Sequence, residues 1–146
     1  MSTGQFSRWS LLQDGNRVPF ESDAHDLPFP RYGVYILGIK SNSGPIRTVY
    51  VGSATSRGGL RRRLMRHRGR KTAGEWISNK GHHIDRCVRR GMRVYFRFRY
   101  TSSVEQAKRL EKKLLLEWWK YPWNDQFMPW FGASASFHKA QKVGHY

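Results

Sequence analysis

Residues 93–100, Arg-Val-Tyr-Phe-Arg-Phe-Arg-Tyr, alternate without interruption, with Val94, Phe96, Phe98 and Tyr100 on one side and Arg93, Tyr95, Arg97 and Arg99 on the other. A period of two is that of a β-strand. One face is apolar and the other mostly cationic, so the strand needs a hydrophobic layer against its first face, and the other elements must supply it.

Two further stretches read as strands. Residues 32–39, Tyr-Gly-Val-Tyr-Ile-Leu-Gly-Ile, are rich in β-branched and aromatic side chains, and a turn-like Ser-Asn-Ser-Gly-Pro follows at 41–45. Arg47 to Gly52 then supplies a partner strand, and the two form an antiparallel hairpin. A short basic helix is expected from Leu60 to Arg68, after Gly58 and Gly59. Residues 69–91 read as partly helical, around Glu75 to Ser78 and His83 to Arg89. Ser103 is a plausible N-cap for a helix from Val104 to Trp119, which must end before Pro122.

The ends are less regular. Residues 1–30 carry Gly and Pro breakers and the acids Asp14, Glu21, Asp23 and Asp26. They read as an irregular N-terminal extension with a short hairpin near Trp9 to Phe20. Residues 31–125 form the folded domain, and residues 126–146 a tail that packs on it or contacts DNA. At 146 residues the chain suits one core.

Charge narrows the partner. The 27 Lys and Arg residues against 10 Asp and Glu give a formal charge of +17, which attracts polyanions and above all a phosphate backbone, with binding that falls as salt rises. No apolar run reaches the roughly 18 residues of a membrane span. The N-terminus lacks the apolar stretch of a secretory signal, so the chain is expected to be soluble and to stay in the cytoplasm, nucleoid-associated, or in the nucleus of a eukaryote. Cys87 stands alone, which excludes an internal disulfide and a cysteine zinc cage.

Helical geometry sharpens two sites. With about 100° per residue, Val104, Ala107, Leu114, Leu115 and Trp118 share one face of the last helix, and Glu111 falls in its centre. A carboxylate there needs either a buried cation or a role as a metal or catalytic ligand. On the basic helix, Leu60, Arg63, Leu64 and His67 stand at i, i+3, i+4 and i+7, so Arg63 and His67 face the sheet. Arg61, Arg62 and Arg66 point away, and with Arg57, Arg70 and Lys71 they are candidates for holding nucleic acid. Tyr35 and Tyr50 approach each other across the hairpin, where packing is the ordinary role of a tyrosine.

The series Gly33-Val34-Tyr35, Tyr50-Val51-Gly52, Arg63 with His67 four residues on, Glu111 in a later helix and Asn124 after a proline resembles the GIY-YIG nuclease superfamily over residues 32–124. Tyr50-Val51-Gly52-Ser53-Ala54 is similar to the version found in phage homing endonucleases. Valine replaces isoleucine in both tripeptides, the loop between them is longer than usual, and Ser53 stands where many members have lysine.

The resemblance implies an α+β fold, a small three-stranded antiparallel sheet flanked by helices. It also implies metal-dependent hydrolysis of DNA phosphodiester bonds by a restriction-like or stand-alone endonuclease. Glu111 would hold Mg²⁺, for which Mn²⁺ can substitute, and Arg63 would stabilise the transition state. Tyr50, Tyr35 or His67 would activate water. Gly33, Gly52 and Asn124 would support the site, Asn124 by tying down the end of the Glu111 helix or the second strand. The partner would be double-stranded DNA, cut in both strands by two protomers or in two visits. Two other classes compete: a basic nucleic-acid-binding module of the same fold that does not cut, and a cationic membrane-active protein. The latter needs a long amphipathic helix, and none is visible.

Overall fold

The computed structural model describes residues 5–13, 23–28, 31–67, 71, 72, 75, 76 and 81–124. In chain order these form β1 (Ser10–Gln13), a 3-10 turn (Asp23–Asp26), β2 (Gly33–Lys40), β3 (Arg47–Ala54), α1 (Gly59–Arg66), β4 (Lys71–Thr72), β5 (Glu75–Trp76), α2 (Gly81–Arg89), β6 (Arg93–Tyr100), α3 (Val104–Leu115) and a second 3-10 turn (Trp118–Lys120). The chain is α+β: a four-stranded antiparallel sheet, ordered β1-β6-β2-β3, packs against three helices. β4 and β5 make a separate two-stranded ribbon.

The expected hairpin is present as β2 and β3, and the alternating strand is β6, paired with the other edge of β2. The sheet has four strands rather than three. Ser10–Gln13 adds to the outer edge of β6, with Ser10 opposite Phe96 and Leu12 buried. Four residues cannot display a period, so this strand is fixed by its partner rather than by its own pattern. Ser10–Gln13 falls on the first arm of the hairpin expected near Trp9 to Phe20, whose other arm lies outside the described residues.

β2 is buried along seven of its eight residues and divides two apolar layers. On one face Tyr35, Leu37 and Ile39 meet Leu60 and Leu64 of α1, Ile84 and Cys87 of α2, and Val94 and Phe96 of β6. On the other, Val34 and Ile36 meet Val51 of β3 and Ala107 and Leu115 of α3. The cationic face of β6 is not left to water. Phe6 and Trp9 lie over it, with the Arg97 guanidinium 5.8 Å and 5.3 Å from their ring centres and its Nε donating to Ser7 O. Burial pushes the Cys87 thiol upward, as for a packed and unreactive cysteine.

Three boundaries differ from expectation. Glu75–Trp76 is strand, not helix: the few residues between Gly74 and Gly81 are too few to nucleate one. α1 stops at Arg66, and His67 caps it by donating its backbone N–H to Leu64 O. α3 starts at the expected cap, where Ser103 Oγ accepts from Gln106 N at 3.1 Å, but ends at Leu115. Trp118 therefore leaves the buried face predicted for it and is 42% exposed.

The chain after α3 returns along the free edge of β3, an edge that would otherwise offer unpaired backbone groups. Thr48 Oγ1 donates to Lys120 O, and Trp123 N donates to Val49 O. Asn124 completes the strap with both ends of its amide: Oδ1 accepts from Val51 N at 2.8 Å and Nδ2 donates to Val51 O at 2.7 Å. Asn124→Ala strands two buried backbone groups, each costing about 1–3 kcal/mol when unpaired. Urea unfolding should show a loss of about 2–4 kcal/mol, and a change below about 0.5 kcal/mol would show that the strap carries no weight.

Candidate functional site

Strand alternation sends the Tyr35 side chain toward α1, and register decides what it meets. Opposite Tyr35 on β3 stands Gly52, and Tyr50 lies on the same face two pairs farther along, opposite Leu37. A Cβ on Gly52 would come within 2.5 Å of Tyr35 Oη and 3.0 Å of the Tyr50 ring. Only glycine leaves room for the two phenols to converge there, with ring centres 6.1 Å apart. Gly33 has a similar task, since a Cβ there would stand 2.7 Å from Leu60 Cδ1 and hold α1 off the sheet.

α1 brings two groups to the same point. His67 is fully buried, with its ring 5.4 Å from that of Tyr35 and 5.7 Å from that of Tyr50, and its Nε2 is 2.6 Å from Tyr35 Oη. Arg63, one turn earlier and half-buried, donates from Nε to Tyr35 Oη at 3.1 Å. Tyr35 thus accepts from the guanidinium, which leaves its own proton free to point at His67. The Tyr50 hydroxyl is also within hydrogen-bonding reach of Tyr35 and Arg63.

Glu111 reaches the cluster from the opposite layer. Its Oε1 accepts from Ser53 Oγ at 3.0 Å, and Ser53 sits on β3 directly after Gly52. Three other described carboxylates are engaged: Asp85 pairs with Arg89, Glu117 with Lys120, and Asp23 accepts from Leu11 N. Glu111 is half-buried, yet no cation stands within ion-pair distance of it among the described residues. Among the described residues, the buried ion pair that would make it purely structural is not formed.

The electrostatics follow from this placement. Burial, with a smaller contribution from Tyr50, pushes the Tyr35 phenol well above the usual value, against the Arg63 guanidinium. Tyr50 moves the same way for the same first reason. Arg63 favours the phenolate forms, but desolvation outweighs it, so both phenols are neutral near pH 7. Burial also raises the Glu111 carboxyl, while the Ser53 bond and then Arg63 oppose the rise.

The structure gathers Tyr35, Tyr50, Arg63 and His67 on the α1 side of Gly52, and Glu111 meets the next residue, Ser53, from the α3 side. Asn124 stands behind β3 as a strut and touches none of them in the bonds described above. Of the proposed nucleic-acid-binding residues, Arg57, Arg62 and Arg66 are exposed and Arg61 partly so. Lys71 opens β4, and Arg70 lies outside the described residues. No group of three His, Cys, Asp or Glu residues suited to a metal occurs among the described residues, so Glu111 belongs to no three-ligand cluster there. Ser53 is the residue that sequence reasoning passed over, noted only for not being lysine. Its alternation with Val51, which faces α3, was the available signal.

A carboxyl raised in the folded state stabilises the fold below its unfolded pKa, and that contribution is lost as pH rises through the folded value. Near pH 7 Glu111 is therefore a burden in the absence of a divalent ion. Glu111→Gln, which keeps the Ser53 contact, should have a thermal midpoint at or above wild type in EDTA, by calorimetry at pH 7. A midpoint several degrees lower would make Glu111 a structural residue. The raised phenols act likewise at the alkaline end: stability declines above about pH 10, and Tyr35→Phe should flatten the decline in urea midpoints.

No curated protein and no solved structure matches the sequence. A family model described as "Domain of unknown function DUF123" matches residues 45–140, about two thirds of the chain. The match includes Tyr50, Ser53, Arg63, His67, Glu111 and Asn124 and begins after β2. The chain belongs to the DUF123 family.

Proposed function

We propose that this protein is a metal-dependent endonuclease of the GIY-YIG type that hydrolyses phosphodiester bonds of DNA. The observation that carries the reading is Glu111: a half-buried carboxylate with no cationic partner among the described residues, held by Ser53 beside a guanidinium and two phenols. In a strongly cationic chain, +17 in all, none of the described cations forms an ion pair with that carboxylate. A hard oxygen donor kept available in this way fits Mg²⁺, which is commonly held by one or two carboxylates, several waters and the substrate's own phosphate oxygens.

Glu111 would hold the ion, with Ser53 fixing the carboxylate's orientation. When bound, Mg²⁺ supplies neutralisation of a phosphate oxygen and of the leaving 3′ oxygen. Arg63, oriented through Nε by Tyr35, presents the rest of its guanidinium to the phosphate and stabilises the charge that develops as water adds.

Water activation is assigned to the hydrogen-bonded series Tyr50, Tyr35, His67. A neutral phenol with a raised pKa is a poor base by itself. Tyr50, 3% exposed, is the member with a trace of accessible surface, while Tyr35 and His67 have none. The proton leaving water passes to Tyr50 as the Tyr50 proton passes to Tyr35 and the Tyr35 proton to His67 Nε2. The attacking oxygen keeps its electron pair for phosphorus, and the imidazole ends protonated. The series spares each phenol a lasting negative charge.

The complete burial of Tyr35 and His67 also fits a second reading, a basic nucleic-acid-binding module in which the cluster is only a core. Incubation with supercoiled plasmid separates the two. Wild type with Mg²⁺ should give nicked and linear products, while Glu111→Gln should cut no faster than wild type in EDTA. Arg63→Gln should lower the rate by about 10²–10³-fold, the range for removing one donor to a developing oxyanion. His67→Gln should shift the acid limb of the pH–rate profile, not merely scale it. Salt-sensitive binding with no cutting by wild type would establish the binding module.

A further inference from the structure

A groove of about 850 Å³ opens on the flank of α3 away from Glu111, walled by the N-terminal segment, the end of β6 and α3 itself. Its charged lining among the described residues is Arg31, Arg99, Arg109 and Lys113, with no acid among them. Arg109 and Lys113 stand one turn apart on α3 and are exposed. Arg31 is already oriented, its guanidinium stacked 4.0 Å above the Tyr100 ring. Arg99 Nε is buried and has no hydrogen-bond partner. Four cations converging on a concavity repel one another and strand a buried donor unless an anion joins them.

We propose that this groove binds phosphate groups of the nucleic-acid backbone, as an anchor separate from the cleavage site. The identity of the polyanion rests on the reading above; the groove itself does not depend on cutting. Position supports the assignment. Arg99 pairs with Val34 across β6 and β2, and Val34 pairs with Ser53 across β2 and β3. Groove and Glu111 contact are therefore aligned across the sheet, about 10 Å apart at two strand spacings. Both lie at the end of the sheet where α1 begins, since Leu60 N donates to Arg31 O. A strand leaving the cleavage site across the start of α3 enters the groove within a few nucleotides. Tyr100 and Ser102 at its rim add an aromatic edge and a hydroxyl.

The test measures binding of a short duplex oligonucleotide in EDTA, where the reading above allows no cutting, at a series of salt concentrations. The proteins are wild type, Arg109→Gln/Lys113→Gln and a control, Arg86→Gln/Arg90→Gln, which removes two exposed charges from α2 and its C-terminal turn. Each phosphate contact contributes about 0.9 to the slope of log K against log salt. The groove variant should lose about 1.8 of slope and the control clearly less. Equal losses in both variants, or none in the groove variant, would overturn the proposal. A parallel titration with a nucleoside 5′-monophosphate distinguishes the phosphate source: loss of monophosphate binding with an unchanged duplex slope would reassign the groove to a free nucleotide and also overturn it. Plasmid cutting is scored separately, so a protein that binds through the groove without cutting refutes only the nuclease.

Discussion

The architecture depends on β2 being buried on both faces. A strand in that position must send alternate side chains into different layers, so Tyr35 goes with α1 while Val34 and Ile36 go with α3. The layers would never exchange a functional group through such a strand. They meet at β3 instead, where Gly52 opens the α1 side for the two phenols and the next residue, Ser53, turns to the α3 side and takes Glu111. The candidate site straddles the sheet because one glycine and its neighbour lie on opposite faces of the same strand.

That placement makes the strap after α3 more than an edge cover. β3 carries Tyr50, Gly52 and Ser53, and among the described residues one of its edges is bonded by residues 120–124 alone. Asn124 grips Val51, midway between Tyr50 and Gly52. Slippage of β3 by one residue would exchange its faces and send Ser53 to the phenols and Tyr50 to α3. Register of the hairpin is thus held from both sides, by β2 along its length and by one amide at its middle.

Where a segment's own pattern is set by burial, it was readable. β6 shows its period because one of its faces is core, and α1 shows its face because Leu60, Leu64 and His67 are buried. Glu111 stood out as polar among apolar neighbours, and it proves to be half-buried with no ion pair among the described residues. What could not be read depends on partners distant in sequence. β1 exists because β6 offers an edge. Trp118 follows the wheel of α3 but not its axis, since the helix ends three residues earlier. Ser53 is an unremarkable serine until a carboxylate 58 positions later faces it.

The same logic bears on the charge. Exposed lysines and arginines cost little in water, and most of the +17 needs no explanation at the level of the fold. The informative cations are those held where water is scarce. Arg63 lies against two phenols, Arg97 between the rings of Phe6 and Trp9, and Arg99 with a buried and unpaired Nε. Arg97 has a structural reason to be there, because its Nε finds Ser7 O and its charge finds aromatic faces. Arg63 sits in the α1 layer within electrostatic reach of Glu111, and Arg99 lines the groove beside α3. In each place the desolvation of a charge is incompletely offset by the protein, which is the condition under which an incoming phosphate gains most.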